Sequence, residues 1–62
     1  MSRDVIERRI RQLIAIDRNA VDIYTDLFGV VEERAIKNSL EALIGDERRH
    51  LRLLEEILSL VN

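Results

Sequence analysis

Two stripes of residues at alternating steps of four and three, one in each half of the chain, constrain this 62-residue sequence most strongly. This spacing keeps one side of an α-helix turned towards a neighbouring helix. The first stripe consists of Ile6, Ile10, Leu13, Asp17, Ala20, Tyr24 and Leu27. The second consists of Ile36, Leu40, Leu43, Glu47, His50, Leu54, Ile57 and Val61. The sequence therefore predicts two long helices that pack along these stripes.

One interruption separates the two stripes. Gly29 can take the positive φ that ends a helix, while Glu32 and Glu33 suit the positive end of the following helix dipole. We predict a first helix over about residues 4–28, a loop over about 29–32 and a second helix over about 32–60. The expected fold is all-α, a single domain formed by an antiparallel two-helix hairpin.

The apolar surface of each predicted helix is wider than one neighbour requires. Apolar residues flank both sides of the stripes: Ile14, Val21, Phe28, Ile16 and Ile23 in the first helix, and Ile44, Leu51, Leu58, Leu53 and Leu60 in the second. A helix with two apolar flanks packs between two neighbours, and so short a chain rarely buries enough surface alone. We therefore expect a homodimer in which two hairpins form a four-helix bundle.

The composition excludes several classes of site and partner. A formal net charge of -2 does not favour nucleic acid, because phosphate-binding surfaces carry a basic excess. The absence of cysteine excludes disulfides, iron-sulfur clusters and cysteine-ligated zinc within this chain. No apolar run approaches the ~20 residues of a membrane span, and the N-terminus has no apolar signal segment. We expect a soluble, cytoplasmic protein that does not enter a membrane.

Three ionisable residues, Asp17, Glu47 and His50, interrupt the stripes near their middles. A buried carboxylate or imidazole costs several kcal/mol unless it is paired, hydrogen-bonded or bound to a metal. Glu47 and His50 are three residues apart, so they emerge on one side of a helix. In a dimer, two divalent cations would neutralise the four carboxylates. We therefore predict a metal site, with iron or manganese as the suited ions and zinc as an adventitious substitute.

The spacing along the chain sets a condition for this site. If the turn centres near residue 30, Asp17 lies level with Ile44, and Glu47 is displaced by three residues, about 4.5 Å at helical rise. The ligands then meet only if the first helix continues past Gly29 or the two helices slide along each other.

The glycine inside the second predicted helix, Gly45, costs about 1 kcal/mol relative to alanine. The sequence leaves two explanations open. One is simple tolerance or a slight bend, and the other is a close approach of the backbone beside the site.

The pattern around these residues resembles a known signature. Asp17, followed after 28 residues by D-E-R-R-H at 46–50, is similar to the carboxylate and D-E-x-R-H motif of the ferritin-like di-iron carboxylate superfamily. Residues 19–24 further resemble the first-helix segment of rubrerythrins and encapsulated ferritins. Most of those relatives have Glu at the position of Asp17, whose shorter arm draws the oxygens back by one methylene.

The resemblance implies a ferritin-like bundle with two iron ions per dimer. It implies Glu47 as the carboxylate that bridges the metals, His50 as a terminal nitrogen ligand and Asp17 as a terminal carboxylate. Asp46 would orient a histidine across the bundle with Arg49 as its charge partner, although a solvated surface pair is the simpler interpretation on residue type.

Tyr24 neighbours the metal cluster in the related proteins. On one helix it lies two turns, about 10 Å, from Asp17, so the two residues cannot share a metal ion. A structural core tyrosine is therefore the simpler interpretation.

Two classes of function follow. The first is a homodimer, open to higher assembly, that oxidises Fe(II) with O2 or peroxide and relies on another protein as electron donor. The second is a non-catalytic hairpin dimer, a protein-interaction or RNA-binding module in which the three polar residues form a layer that fixes the register. A small regulatory or storage-compartment cargo subunit is a third interpretation, which the sequence does not separate from the first.

Overall fold

The protein forms an antiparallel hairpin of two long helices. The computed structural model describes residues 2–62, with α1 at Arg3–Val30 and α2 at Arg34–Val61. The hairpin is a rod of 47 × 14 × 14 Å. The prediction of two long helices without strands is confirmed for the described residues, in which neither helix has a stretch apolar enough to cross a bilayer.

The helix α1 ends later than the sequence predicts, and not at a glycine. Gly29 lies inside α1 without a positive φ, so the expectation that it ends the helix in a left-handed conformation is wrong. The chain leaves the helix at Val31, which is extended at φ -80° and ψ 137° and whose N–H donates to the Leu27 carbonyl at 3.0 Å. A β-branched residue readily adopts this extended backbone.

Side chains fasten both ends of the hairpin. At the loop, the Lys37 ammonium donates to the Phe28 carbonyl at 2.7 Å and lies 4.2 Å from the centroid of the Phe28 ring. At the other end, the Arg3 guanidinium donates to the Val61 carbonyl at 3.3 Å. A cation beside the last carbonyls of α2 also meets the negative end of the helix dipole. The ends are therefore closed by the chain's own groups.

The contact between the helices, which we call the seam, is narrow. Among the described residues, only Ile14 and Leu40 are buried, at 7% and 6% exposure. Half-buried residues continue the seam along both helices: Ile10, Asp17, Val21, Tyr24 and Phe28 in α1, and Ile44, Glu47, Leu51, Leu54 and Leu58 in α2. The two helices alone therefore bury a very small core.

The seam is rotated relative to the predicted stripes. Residues predicted as stripe members are exposed: Leu13, Leu27, Ile36, Leu43, His50 and Ile57. Residues predicted as flanks, such as Ile14 and Ile44, take their place in the seam. The repeat of seven residues is the same for both sets, so the repeat alone does not fix the rotation of each helix about its own axis.

A continuous face of exposed apolar residues runs beside the seam, and we call it the open apolar face. Its large residues are 41–78% exposed: Leu13, Ile16, Ile23, Leu27 and Val30 in α1, and Ile36, Leu43, Leu53, Ile57 and Leu60 in α2. Leu27 directly precedes the seam residue Phe28, and Leu43 directly precedes the seam residue Ile44. A two-fold axis relates two antiparallel helices and is perpendicular to the plane that contains them. Residues that precede a seam residue by one position therefore lie on the same side of the hairpin in both helices.

The opposite side of the hairpin is polar. Arg18 and Glu55 each follow a seam residue by one position, and their side chains form an exposed ion pair at 3.2 Å between the helices. The same offset places Gly45 on this side. The hairpin therefore has one polar side and one apolar side.

Candidate metal centre

The loop places two carboxylates at the same level. Because α1 continues past Gly29 and α2 begins at Arg34, the middle of the loop is Glu32. Asp17 lies 15 residues before Glu32, and Glu47 lies 15 residues after it. Of the two conditions set by the sequence, the structure shows the continued first helix.

The three predicted ligands converge. Asp17, Glu47 and His50 each offer one ligand atom, and these three atoms all lie within 4.8 Å of one another. The seam holds Asp17 and Glu47, which are both half-buried, and the next turn of α2 holds His50. The hairpin therefore assembles two carboxylate oxygens and one imidazole nitrogen from positions 30 residues apart in the chain.

One carboxylate oxygen is buried without compensation. The Glu47 side chain is 20% exposed, and its Oε2 atom is buried with no hydrogen-bond partner among residues 2–62. Its Oε1 atom lies 3.8 Å from Nδ1 of His50, which is beyond hydrogen-bond distance. A buried acceptor without a partner costs about 1–3 kcal/mol. A cation between the three side chains would remove this cost, so the residues present fit a metal ion.

The donor set suits a transition metal. Carboxylate oxygen and imidazole nitrogen together match iron, manganese and zinc, whereas a calcium site uses oxygen ligands alone. Three ligands from one chain leave further coordination positions free for a second carboxylate or for a small molecule.

The site opens onto the apolar side of the hairpin. His50 is spaced seven residues from Leu43 and from Ile57, so it belongs to the open apolar face, and its side chain is 58% exposed. The sequence placed His50 in the seam stripe beside Glu47, and that placement is wrong. The seven-residue series was visible in the sequence, but the rotation of α2 decides which series enters the seam.

The predicted supporting residues lie outside this group. Asp46 and Arg49 form an ion pair with each other, and their side chains are 52% and 64% exposed. In the hairpin they are thus a solvated pair. Asp46 directly precedes the ligand Glu47, and Arg49 directly precedes the ligand His50. Tyr24 is half-buried in the seam and is not part of the converging group.

No other part of the hairpin comes close to Gly45, the glycine near the site. A Cβ atom added at Gly45 would meet nothing within 4 Å. The interpretation in which another backbone passes beside Gly45 therefore does not hold for the two helices described. The simpler interpretation, tolerance of a glycine on an exposed side, fits this geometry.

Comparisons of the chain with models of known protein families, with curated proteins and with solved structures found no match. The positions of Asp17, Glu47 and His50 in this hairpin are accordingly what indicates a metal site. The likeness to the ferritin-like signature is a likeness of residue types and spacing.

Proposed function

We propose that the protein is a homodimeric metal protein of the ferritin-like kind that binds two iron ions and oxidises Fe(II) with O2 or peroxide. The observation that carries the proposal is the convergence of three ligand atoms within 4.8 Å around a buried, unpartnered oxygen of Glu47. Asp17 and His50 would complete the set contributed by each chain.

The open apolar face supports a dimer. Two buried residues supply little of the hydrophobic stabilisation that a 62-residue fold needs. Burial of apolar surface contributes about 25 cal/mol per Å², so covering ten large exposed side chains supplies what the seam lacks. A second hairpin placed on this face also brings a second set of ligands, because His50 lies on the same face.

Charge supports two cations in this dimer. Each chain brings Asp17 and Glu47, so four carboxylates come together in an interior of low polarity. Like charges repel strongly there, and two divalent cations balance them. The metal-free dimer would have to tolerate this repulsion, so metal binding and dimer stability should rise together.

Each ligand has a role in this proposal. Glu47 has one oxygen 3.8 Å from Nδ1 of His50 and the other buried, and it would be the carboxylate shared by the two metals. Asp17 and His50 would be terminal ligands. Asp46 would accept a hydrogen bond from a histidine of the second chain, and Arg49 would hold Asp46 in place.

Iron bound at this site would supply the electrons. Two Fe(II) ions would give one electron each and become Fe(III). With two protons, these two electrons would reduce O2 to hydrogen peroxide, or hydrogen peroxide to two water molecules. Asp17, Glu47 and His50 would hold the ions, and the apolar residues around them would exclude water from the interface. Return of the iron to Fe(II) requires an external electron donor, for which another protein is the proposed source.

The first test measures metal content and mass together. Untagged protein is loaded with Fe(II) without oxygen, desalted and analysed for metals, and its mass is measured by light scattering. We expect about one iron per chain in a dimer. Manganese and zinc are loaded in parallel to establish the preferred ion.

Matched variants locate the ion. Glu47→Gln should lose the metal, and Glu55→Gln, which changes an exposed carboxylate of the same helix, should retain it. A stable dimer that binds no metal would contradict the proposal and favour the interaction module with a polar layer. If a metal-loaded dimer consumes no O2 or peroxide with Fe(II) in stopped-flow assays, the metal site is supported but the proposed oxidation of Fe(II) is wrong.

A further inference from the structure

The charged residues are unevenly distributed along the rod. The level of Asp17 and Glu47 divides the hairpin into a loop half, residues 18–46, and a terminal half, residues 3–16 and 48–62. The terminal half contains seven arginines and four carboxylates, a net charge of +3. The loop half contains three basic and six acidic residues, a net charge of -3. The hairpin therefore has opposite charges at the two ends of a rod 47 Å long.

A second copy can cover the open apolar face in two symmetric ways. A two-fold axis parallel to the rod places both loops at the same end of the bundle. A two-fold axis perpendicular to the rod places the loops at opposite ends. Both arrangements bury the same apolar residues and both make every neighbouring pair of helices antiparallel.

The metal site does not distinguish the two arrangements. Asp17 is the 15th of the 28 residues of α1, and Glu47 is the 14th of the 28 residues of α2. Because the site lies at the middle of both helices, either axis brings the two sites to the same level. The choice between the arrangements therefore falls to the rest of the surface.

We propose that the open apolar face is covered by a second copy of this chain with the loops at opposite ends of the bundle. Loops at the same end would set +3 against +3 and -3 against -3, whereas loops at opposite ends set each terminal half against the loop half of the other copy. This inference rests on the dimer that the proposed function requires, and not on the metal.

The arrangement makes a specific prediction for the helices. The perpendicular axis packs α1 against α1 of the second copy, running in opposite directions. Arg9 lies about seven residues before the middle of α1, and Asp26 lies about nine residues after it, so Arg9 of one copy comes within about one helical turn of Asp26 of the other. Both residues are exposed in the single hairpin.

A distance measurement between loops tests the orientation. The chain has no cysteine, so Glu32→Cys gives one site for a spin label in each copy. With loops at opposite ends, the two labels should lie about 45 Å apart, close to the length of the rod. With loops at the same end, the separation is only the width of a bundle with helices ~10 Å apart, about 15–25 Å with the label arms. The labelled dimer is measured by pulsed electron resonance, with Zn(II) and without it.

A label near the middle is the control. Gly45→Cys has open space around its side chain and lies close to the level of the site. It is on the polar side of each hairpin, so its two labels should lie on opposite outer sides of the bundle, separated by about the width of the bundle in both arrangements. A Glu32 distance of about 45 Å, clearly longer than the Gly45 distance, supports the proposal. A Glu32 distance of about 15–25 Å, no longer than the Gly45 distance, or a monomer by light scattering in the label-free protein, overturns it. Metal content is measured separately, so failure of the metal site and failure of this orientation give different results.

Charge reversal tests the same orientation without labels. Arg9→Glu should raise the dissociation constant of the dimer about fivefold at low salt, because two symmetry-related pairs become repulsive. Adding Asp26→Arg should return the constant to within about twofold of the original value. If the second substitution restores nothing, Asp26 of the other copy does not face Arg9, and the proposed orientation is wrong.

Discussion

The ends and the middle of this hairpin differ in whether their polar groups have hydrogen-bond partners. At the ends, Lys37 donates to the Phe28 carbonyl, and Arg3 donates to the Val61 carbonyl, so a side chain of the protein supplies a partner at the C-terminal end of each helix. In the middle, the buried Oε2 of Glu47 has no hydrogen-bond partner in residues 2–62. The contrast supports the proposal that the middle binds a metal ion.

Removal of the charge of Glu47 should have the largest effect on the middle of the hairpin. Glu47→Gln keeps the shape of the side chain, but its amide cannot provide a negative oxygen to a cation. We expect affinity for Fe(II) or Zn(II) to fall at least about 100-fold, measured by competition with a chelator. An affinity that stays within threefold of the unaltered protein would show that the middle does not bind metal through this residue.

Replacement of the opposite ligand separates metal binding from a structural polar layer. Asp17→Leu removes a half-buried carboxylate, so the metal-free dimer should keep its stability or gain some. Metal at 100 times its dissociation constant should add about 2.7 kcal/mol to the unaltered dimer and nothing to this variant. Urea unfolding at one fixed protein concentration, with and without Zn(II), measures both quantities. Loss of stability without any response of the unaltered protein to metal would favour the structural layer.

A substitution of Lys37 tests whether its contacts with Phe28 stabilise the loop end of the hairpin. Lys37→Met removes the hydrogen bond to Phe28 and the contact with its ring while keeping an apolar stem. We expect the dimer to lose about 2 kcal/mol, with unchanged metal content. Arg34→Met, an exposed cation in the same turn, is the matched control and should change stability by less than about 0.5 kcal/mol. Equal effects of the two substitutions would mean that the Lys37 contacts do not fasten the loop.

The smallest effect is expected on the polar side of the middle. Gly45→Ala should stabilise the dimer by about 0.5–1 kcal/mol, because alanine favours the helix and its Cβ meets open space. Thermal unfolding with metal analysis checks this. Destabilisation would show that another chain approaches Gly45 in the assembly, on a side that the apolar dimer leaves free.

The sequence was informative where a residue type or a repeat determines structure. The seven-residue repeat predicted two helices, and the rarity of charge in such a stripe singled out Asp17, Glu47 and His50. The level of Asp17 against Glu47 was not predictable, because it depends on whether Gly29 ends α1. Gly29 can adopt either conformation, and the extended backbone at Val31 sets the end of the helix instead.

The rotation of each helix was also beyond the sequence. Leu43 and Ile44 are both apolar, and each belongs to its own seven-residue series, so either could face α1. Interdigitation of side chains from both helices decides between them, and it places Ile44 in the seam and Leu43 on the open apolar face. The same rotation moves His50 from the seam to the surface that a second hairpin would cover.

The central position of the site has a consequence for its motions. Helix ends fray first, and amide hydrogens there exchange with solvent sooner than those of the interior. Asp17 lies 14 residues from the start of α1, about 21 Å at helical rise, and Glu47 is equally far from the end of α2. Partial opening from either end must therefore unwind nearly four turns before it disturbs the ligand backbone, so the geometry of the site persists through local unfolding that already loosens the loop and the termini.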